Sequence, residues 1–369
     1  MIFYSTILSN IPQNSYVSME IIGLILVFAI AIDLMFGELP VKIHPVVLIG
    51  KIIDFSTKYL INIKSKLSGV YLTVFVLFLS LALAIIFLFI FSFNWFVFVI
   101  ISSLALSSLF SFKLLLSSAN DIKKDLSTDL TEARKSMSFL VSRKTDELNE
   151  KQISSAVIET LTENITDSCV SVFFYYLFTG IIALICILIV NSYLTSLFSS
   201  FYIINYNIIN LINNNLFYVI ATLSLLSTLF YRIINTLDAM VGYKDQKYLL
   251  IGWFPAKLDD LLNFIPSRFS GLMVVFAAFL LKFNWKNSYF ILKRDWNNCP
   301  SPNSGFTMAA AAGALDIQLE KKGVYTIGDE NQELKTRHIV NAIKLTRMSI
   351  FLSLIFLFGI FCLIVNLLL

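Results

Sequence analysis

Three carboxylates recur at four-residue intervals in the segment ETLTENITDS. On an α-helix, Glu159, Glu163 and Asp167 would share one face, with Asn164 beside them. Like charges at this spacing repel, so the face calls for a cation or a cationic substrate. Mg²⁺ held by carboxylates and substrate phosphates would meet that need. The alternative is a solvated acidic face near a helix N-terminus, where the helix dipole favours negative charge.

A longer segment, residues 231–268, combines acids, amides and cations. It leaves an apolar stretch, breaks at Gly242, and is expected to form a helix that starts after Pro255 and ends by Pro266. Helical spacing would bring Asp259 to Asn263 and Lys257 to Asp260. Cations here would contact phosphate and acids would bind metal. The candidates in this segment are Asn235, Asp238, Tyr243, Lys257, Asp259, Asp260, Asn263 and Arg268.

The segment 33–51 places two further ionisable residues near a membrane boundary. Asp33 lies inside the end of an apolar stretch, where an acid is costly and usually functional. Snorkelling of its carboxylate to the interface is the alternative. Pro45 restricts the preceding residue to an extended backbone, which puts His44 on a loop. His44 is a candidate ligand, acid or base, or a plain hydrogen-bonding residue.

A polar turn, Pro-Ser-Pro-Asn-Ser-Gly at 300–305, precedes an Ala- and Gly-rich run. Small polar turns ahead of a helix N-terminus are natural anion sites, which makes Ser301 and Asn303 candidates for substrate binding. Reversal of the chain would explain the same turn. The run that follows predicts a thin helix open to close approach.

The elements that position these segments are membrane-spanning helices. The 369-residue chain is 57% hydrophobic and only 14% charged, against roughly a quarter charged in a soluble domain. Neither 67–112 nor 168–231 contains an Asp, Glu, Lys or Arg, and each could hold two crossings of about 20 residues. We therefore exclude a soluble enzyme and predict an all-α integral membrane protein, a single multi-pass domain over residues 1–369. Its predicted spans are residues 20–37, 70–91, 95–116, 170–190, 216–231 and 348–369.

The distribution of Lys and Arg predicts the orientation. All 28 lie in four segments that the positive-inside rule places in the cytoplasm. These segments are residues 38–66, 113–167, 232–268 and 282–347. Residues 269–281 are apolar but short, so a re-entrant or interfacial segment is predicted, with a tilted crossing as the alternative. A polar interfacial loop is expected at 202–215. The predicted location is the cell membrane, with one shared site facing the cytoplasm.

Several classes of site have no signature in the sequence. The net charge of +4 comes without a long basic block, which argues against a nucleic-acid partner. The four cysteines stand singly, so neither a disulfide framework nor a CxxC metal site is expected. The chain also lacks GxxxxGK[ST], GxGxxG and HExxH motifs. Any use of a nucleotide would therefore need a non-standard site.

Together, the polar segments resemble adenosylcobinamide-phosphate synthase, the CbiB/CobD family of cobalamin biosynthesis. The resemblance covers residues 20–320, nearly the whole chain, in order. Its motifs are DLMFGELP with HPVVLIG (33–50), ETLTEN followed by Asp167-Ser168, NTLDAMVGYKDQKYLLIGWFPAKLDDLLNFIPSR (235–268), and PSPNSG with AAGAL (300–315). The chain departs from the family pattern in two places. Cys299 stands where His is usual, and Phe306-Thr307-Met308 stands where Trp-Pro-Glu is usual, so that an acid is lost at Met308.

The resemblance implies an ATP-dependent ligase. It would join a carboxylate of adenosylcobyric acid to the amine of 1-amino-2-propanol or, more often, its O-phosphate, giving adenosylcobinamide or its phosphate. ATP would convert the poor acyl donor into an acyl phosphate, which the amine then attacks. Mg²⁺ and cations would spread the phosphate charge, and a base would deprotonate the ammonium.

The resemblance and the residue patterns together assign roles to the candidates. Five acids would bind Mg²⁺ or act as base: Glu159, Glu163, Asp167, Asp259 and Asp260, with Glu163, Asp167 and Asp260 as the metal ligands. Lys257 and Arg268 would contact phosphate, and Asn303 would orient the substrate. The remaining substrate-binding candidates are Asp33, His44, Asn164, Asn235, Asp238, Tyr243, Asn263 and Ser301.

The expected partners are the lipid bilayer, the corrinoid and aminopropanol-phosphate substrates, and other late enzymes of cobalamin synthesis. The alternative function is a non-catalytic transporter or sensor with the same fold. A transporter would be expected to keep polar groups near the bilayer centre or to break its spans in repeated halves. The long uncharged stretches show neither pattern, which favours an enzyme with its chemistry on one side.

Overall fold

A computed structural model describes residues 14–141, 143–197 and 216–368, so the loop expected at 202–215 lies outside the described residues. Two compact units are present. Unit 1 contains the described residues up to Leu109, Phe173–Gly252, and those from Leu357 onward. Unit 2 contains Phe110–Val172 and Trp253–Phe356.

The described secondary structure is almost entirely helical. In chain order the helices are α1 (Asn14–Phe36), α2 (Pro45–Leu60), α3 (Lys66–Phe91), α4 (Trp95–Ser107), α5 (Phe112–Thr128), α6 (Leu130–Ser138), α7 (Glu150–Ile165), α8 (Ser171–Leu197), α9 (Leu216–Val241), α10 (Trp253–Leu262), α11 (Phe264–Leu280), α12 (Trp285–Asp295), α13 (Ser304–Ala314) and α14 (Thr336–Leu368). A π-helical turn, Thr166–Val170, joins α7 to α8. An antiparallel hairpin of β1 (Leu319–Lys321) and β2 (Tyr325–Ile327) precedes α14.

Among the described residues, six helical stretches are long and apolar enough to cross a membrane. They are Met19–Phe36, Lys66–Phe91, Trp95–Thr128, Glu150–Val190, Leu216–Val241 and Thr336–Leu368. The prediction of an all-α integral membrane protein with about six spans is confirmed. Helices α10 and α11 form a further apolar pair bent by 50°, a geometry that suits a broken span or a re-entrant segment. Both alternatives for residues 269–281 therefore stand.

Several predicted helix boundaries were wrong. Helix α10 begins at Trp253, before Pro255, and ends at Leu262; a new helix, α11, then contains Pro266. Each proline lies in a first helical turn, where its missing N–H removes no helical hydrogen bond. The predicted span 95–116 lies within the candidate span Trp95–Thr128, which is made of two helices: α4 ends at Ser107 and α5 starts at Phe112.

In unit 1, helices α3 and α4 form a hairpin whose turn is capped by Asn94. The Asn94 side chain accepts hydrogen bonds from the backbone of Phe96 and Val97. Unit 1 also contains a close backbone contact between the last residue of α9, Val241, and Gly252. A Cβ on Gly252 would come within 1.8 Å of the Val241 carbonyl oxygen, so only glycine fits there.

In unit 2, the Ala- and Gly-rich helix α13 is almost completely buried and packs against α11 and α12. The Ser288 hydroxyl of α12 donates to the Ala310 carbonyl at 2.7 Å. A Cβ on Gly313 would lie 2.6 Å from the Asn287 carbonyl oxygen. The small side chains thus bring the two backbones into close contact. This packing holds α13, the helix that follows the polar turn.

Candidate functional site

A buried carboxylate, Glu159, organises one part of unit 2. Its side chain accepts hydrogen bonds from the Ser155 hydroxyl at 2.7 Å, the Tyr325 hydroxyl at 2.8 Å and Arg143 Nη2 at 3.3 Å. Only 5% of Glu159 is exposed. Three donors therefore offset the cost of burying this acid. Sequence reasoning missed Arg143 and Tyr325, because nothing in their own segments indicates a contact with Glu159.

Cys299 and Tyr325 lie close enough to the acids of α7 to respond to their charge. Burial raises the pKa of Cys299 to about 12, and the charges of Glu163 and Glu159 add to the rise. Burial likewise raises the pKa of Tyr325, with a further contribution from Glu159. Both groups therefore stay protonated and neutral at physiological pH. The family's usual His is thus replaced by a neutral, buried thiol.

The three acids predicted to share one helical face do not all lie on one regular α-helix. Helix α7 ends at Ile165, and Asp167 lies in the π-helical turn, which shifts the angular position of the residues that follow. Glu159 is buried, whereas Glu163 and Asp167 are half-buried. The expectation of one shared α-helical face therefore needs correction at Asp167. π-helical turns of this kind occur frequently at functional sites.

Asn164 stabilises this irregular turn from within. Its side-chain nitrogen donates to the Thr160 carbonyl at 2.9 Å, and its side-chain oxygen accepts from the Ser168 hydroxyl at 2.7 Å. Ser111, the residue directly before α5, donates its backbone N–H to the Ser168 carbonyl at 3.3 Å. The side chain predicted to bind substrate thus spans the end of α7 and the π-helical turn.

Asn303 joins the polar turn to the α10–α11 segment. Its Nδ2 donates to the Asp260 carbonyl oxygen at 2.9 Å. Its Oδ1 accepts from the Ser267 hydroxyl at 3.2 Å and from Arg268 Nη1 at 3.3 Å. The Ser301 hydroxyl accepts from Asn303 N at 3.3 Å. Two motifs separated by more than thirty residues in the sequence therefore meet at this one amide.

Arg268 is held in a fixed orientation by aromatic rings. Its guanidinium carbon lies 3.5 Å from the Phe264 ring centroid and 4.5 Å from that of Phe306. Phe306 in turn stacks on Trp296, with centroids 4.9 Å apart. Stacking of this kind suits a planar guanidinium. Arg268 Nη1 also donates to the Phe264 carbonyl at 2.7 Å, so rings and hydrogen bonds together fix the orientation of the side chain.

The contacts expected from helical spacing in α10 are present. Asp259 is buried and accepts from Asn263 Nδ2 at 3.1 Å. Asn263 also accepts a 2.7 Å hydrogen bond from the Ser171 hydroxyl. Lys257 Nζ lies 3.7 Å from an Asp260 carboxylate oxygen, and the Lys257 side chain is largely exposed. Asp259 is thus fixed inside unit 2, whereas Asp260 and Lys257 lie nearer the surface.

The predicted magnesium ligands supply carboxylate oxygens only. Within the described ranges, no group of three or more His, Cys, Asp or Glu side chains has the geometry of a metal site. Mg²⁺ commonly takes one or two carboxylates and completes its shell with phosphate oxygens and water. The half-buried Glu163 and Asp167 fit that mode of binding, so the ion remains a prediction that depends on a bound phosphate.

In unit 1, His44 occupies the loop position that its sequence predicts. It has an extended backbone directly before α2, and only 7% of it is exposed. Its Nε2 lies 3.9 Å from Glu38, and its buried Nδ1 has no hydrogen-bond partner among the described residues. Burial lowers the pKa of His44; Glu38 opposes this effect and Arg232 adds to it. His44 is therefore mainly neutral at pH 7.

The other candidates of unit 1 lie on α1 and at the end of α9. Asp33 is almost fully buried on α1. Asn235 accepts a 3.1 Å hydrogen bond from Arg232, and the Asp238 carbonyl accepts from Gly242 N at 2.7 Å. Tyr243 is partly exposed, and its ring lies 6.2 Å from that of Tyr248.

Comparison with known proteins identifies the family. The family described as CobD/Cbib protein matches residues 26–195 and 207–348. The chain belongs to this family. "Probable cobalamin biosynthesis protein CobD" of Methanothermobacter thermautotrophicus is 40% identical over 335 residues, covering 89% of this chain and 94% of the relative. No solved structure matches the chain.

Two further relatives extend the similarity. "Probable cobalamin biosynthesis protein CobD" of Methanococcus aeolicus is 35% identical, covering 85% of this chain and 89% of the relative. "Cobalamin biosynthesis protein CobD" of Leptospira interrogans is 30% identical, covering 89% and 94%. CobD/CbiB membership gives the chain a role in cobalamin biosynthesis, and its apolar helices make it a multi-pass membrane protein. The contacts of Asn303 and Glu159 therefore occur in a member of the CobD/CbiB family.

Proposed function

We propose that this CobD/CbiB protein is an ATP-dependent ligase. It would join the carboxylate of adenosylcobyric acid to the amine of 1-amino-2-propanol or its O-phosphate, giving adenosylcobinamide or its phosphate. The observation that carries the proposal is the set of contacts at Asn303, here called the Asn303 junction. There one side-chain amide donates to the Asp260 main-chain carbonyl and accepts from Arg268. It supports a site in which an acid and a cation are held in fixed positions.

Arg268 would bind a phosphate group of a substrate. A guanidinium forms charge-assisted, paired hydrogen bonds to phosphate oxygens. Because aromatic rings and Asn303 already orient Arg268, little conformational entropy would be lost on binding. Lys257 would add a second, mobile cation near the same segment. Charge that builds up on the transferred phosphoryl group would be spread over these two side chains.

Removal of a proton from the substrate ammonium needs a carboxylate in the ionised state. Asp260 is the best placed acid, because Asn303 fixes its main chain while its side chain remains partly exposed beside Lys257. Buried Asp259 would hold Asn263 and the α10–α11 bend in position. When bound, Mg²⁺ would neutralise phosphate charge, with Glu163 and Asp167 as its protein ligands.

The direct experiment is an activity assay. The purified protein in detergent would be incubated with ATP, Mg²⁺, adenosylcobyric acid and aminopropanol phosphate, and the amide product sought by mass spectrometry. Product that depends on ATP and on the amine supports the proposal. Folded protein that yields no product refutes it. Asp260→Ala and Glu163→Ala should each abolish turnover while the protein is still produced; activity in both variants would refute the site assignment.

We also propose that the site faces the cytoplasm of the cell membrane, as the distribution of Lys and Arg favours. Ser301→Cys in a variant without the native cysteines would report the side on which the polar turn lies. A membrane-impermeant thiol reagent should label it only after the cytoplasmic side is opened. Labelling from outside intact cells would overturn this orientation. Corrinoid-pathway enzymes would then meet the protein on its cytoplasmic side.

A further inference from the structure

Helix α2 in unit 1 carries an apolar face that is exposed. Leu48, Phe55 and Tyr59 follow one another at intervals of seven and four residues, and they are 44%, 60% and 67% exposed. Residues at this spacing lie on one side of an α-helix. The Phe55 and Tyr59 rings also contact each other edge to face, with centroids 5.1 Å apart. These three side chains are here called the apolar stripe.

Another face of α2 holds the helix within unit 1. Ile49, Ile53 and Ser56 are buried, and α2 packs against α3 and α9. The apolar stripe takes no part in this packing, since its side chains remain exposed. Exposed apolar side chains that lie together mark sites of interaction with a protein or a membrane.

Helix α2 is not among the candidate spans. It has 16 residues, fewer than the roughly 20 that a crossing needs, and it contains Lys51, Asp54 and Lys58. The exposure of the apolar stripe therefore cannot be explained as the lipid-facing side of a membrane-spanning helix.

The neighbours of α2 place it at a membrane boundary. In the chain it lies between two candidate spans, one ending at Phe36 and the next beginning at Lys66. Because α2 does not cross, these two span ends lie on the same side. A Cβ on Gly50 would lie 3.6 Å from the sulfur of Met240, in the last turn of the candidate span Leu216–Val241. Helix α2 is therefore held beside the end of a third span.

Basic side chains accompany the apolar stripe. Lys51 and Lys58 are exposed along one edge of it, and Lys42 and Lys64 are exposed in the loops before and after α2. The only acid between Lys42 and Lys64 in the sequence is Asp54. Within the residues that the structure describes, none of these four lysines forms an ion pair. Uncompensated positive charge at a membrane boundary attracts anionic lipids.

We propose that α2 is an interfacial helix that inserts the apolar stripe into an anionic phospholipid leaflet and binds its headgroups through Lys51 and Lys58. Lysine stems can lie along an apolar surface while the ammonium reaches the headgroups. Tyrosine suits the same depth, because its ring is buried while its hydroxyl stays hydrated. Helices that combine an apolar face with basic residues bind membranes in this way. The inference is independent of amide formation, since its tests need neither corrinoid nor amine.

Insertion would be measured by electron paramagnetic resonance on the full chain in vesicles of phosphatidylcholine and phosphatidylglycerol. A nitroxide label would be attached at Phe55→Cys in a variant without the native cysteines. The matched control is Asp54→Cys, the adjacent exposed position outside the apolar stripe. We expect the label at 55 to collide mainly with oxygen, which dissolves in lipid, and the label at 54 mainly with a water-soluble nickel complex.

Two results of this measurement would overturn the proposal. Equal access of the nickel complex to both labels would show that the apolar stripe lies in water. Dipolar broadening between labels at 55, with neither reagent reaching them, would show that a second copy of the chain covers the stripe.

The preference for anionic lipid would be tested without any exchange of cysteine. The full chain in detergent would be titrated with phosphatidylglycerol or phosphatidylcholine while thermal unfolding is followed, because a ligand of the folded state raises the unfolding temperature. The test variant is Lys51→Gln/Lys58→Gln. The matched control is Lys144→Gln/Lys322→Gln, which removes the same charge from two exposed lysines outside the helices.

Phosphatidylglycerol should raise the unfolding temperature of the unaltered protein and of the control by the same amount, and more than phosphatidylcholine does. The rise should fall to about half or less in the test variant, because two of the attracting charges are lost. An undiminished rise in the test variant, or an equal decrease in the control, would overturn the role of Lys51 and Lys58. Equal effects of the two lipids on the unaltered protein would overturn the anionic preference.

Discussion

Tyr325 and Glu159 lie 166 residues apart in the sequence, yet the tyrosine hydroxyl donates a 2.8 Å hydrogen bond to the carboxylate. The contact fastens the β-hairpin to α7. It also supplies a neutral donor to a buried acid, because the raised pKa of Tyr325 keeps its proton in place. Glu159, the first acid of the ETLTEN motif, is therefore fixed by tertiary contacts within unit 2.

Removal of this donor should destabilise unit 2. Tyr325→Phe deletes one of the hydrogen bonds to Glu159, and hydrogen bonds to charged groups contribute about 1.5–3 kcal/mol. We expect a decrease of that size in the free energy of unfolding, measured by denaturant titration in detergent. Tyr289→Phe is the control, because the Tyr289 ring is exposed and contacts Lys293. Equal stability of the two variants would contradict the role given to the Tyr325 hydroxyl.

The Asn303 junction should be required for turnover. Asn303→Ala removes contacts to Asp260, Ser267 and Arg268, so both the acid and the cation lose their support. We expect kcat for amide formation to fall at least about tenfold, with a loss of about 1–3 kcal/mol in unfolding free energy. Asn298→Ala, at an exposed amide in the same loop, should behave like the unaltered protein. Full turnover in Asn303→Ala would show that the junction plays no part in catalysis.

The stacked guanidinium should not be replaceable by an ammonium. Arg268→Lys keeps the charge but loses the planar group that lies against Phe264 and Phe306. A rise of about tenfold or more in KM for the phosphate-bearing substrate is expected from steady-state kinetics. The control is the same exchange at an exposed position of α14, Arg347→Lys. Similar kinetics for both variants would exclude a phosphate contact at Arg268.

His44 should make stability depend on pH in a defined window. Because its folded-state pKa lies below the ordinary 6.5, the folded protein binds this proton less readily than the unfolded chain. Its contribution to stability is complete above about pH 6.5 and is lost as the pH falls through the folded-state value. His44→Gln should therefore flatten the curve of unfolding free energy below pH 6.5. Lys42→Gln, which leaves the His44 imidazole in place, should retain the slope.

A glycine at the start of α13 should be irreplaceable. A Cβ on Gly305 would lie 1.9 Å from the Trp296 carbonyl oxygen, and this backbone atom cannot move aside cheaply. Gly305→Ala should lower the free energy of unfolding by at least about 2 kcal/mol, by denaturant titration. At Gly359 a Cβ would meet nothing within 4 Å, so Gly359→Ala should be neutral or slightly stabilising. A tolerated alanine at 305 would disprove the close approach.

Properties that depend on neighbouring residues in the sequence could be predicted. Long uncharged stretches indicated a helical membrane protein, because crossing a bilayer requires about 20 apolar residues in succession. The pairs Asp259–Asn263 and Lys257–Asp260 followed from helical spacing. Family membership followed from motifs that are themselves local. Each of these features is encoded within one segment.

Features that depend on tertiary contacts could not be predicted. The expected helix ends at Pro255 and Pro266 were wrong because a proline fits the first turn of a helix as well as it follows a last turn. Arg143 and Tyr325 meet Glu159 only after distant segments pack together. No local pattern marks such partners. The roles of the individual acids therefore stay predictions, to be decided by the variants above.

The π-helical turn at Thr166–Val170 has a consequence for how sequences of this family should be compared. A π-helical turn is equivalent to one residue added to an α-helix, so everything after it is rotated by about 100°. That rotation aims the Ser171 hydroxyl at Asn263. A helical wheel drawn continuously from α7 into α8 would therefore misplace Ser171. A relative with one residue fewer here would present a different side chain to Asn263, although its helix would look intact in an alignment.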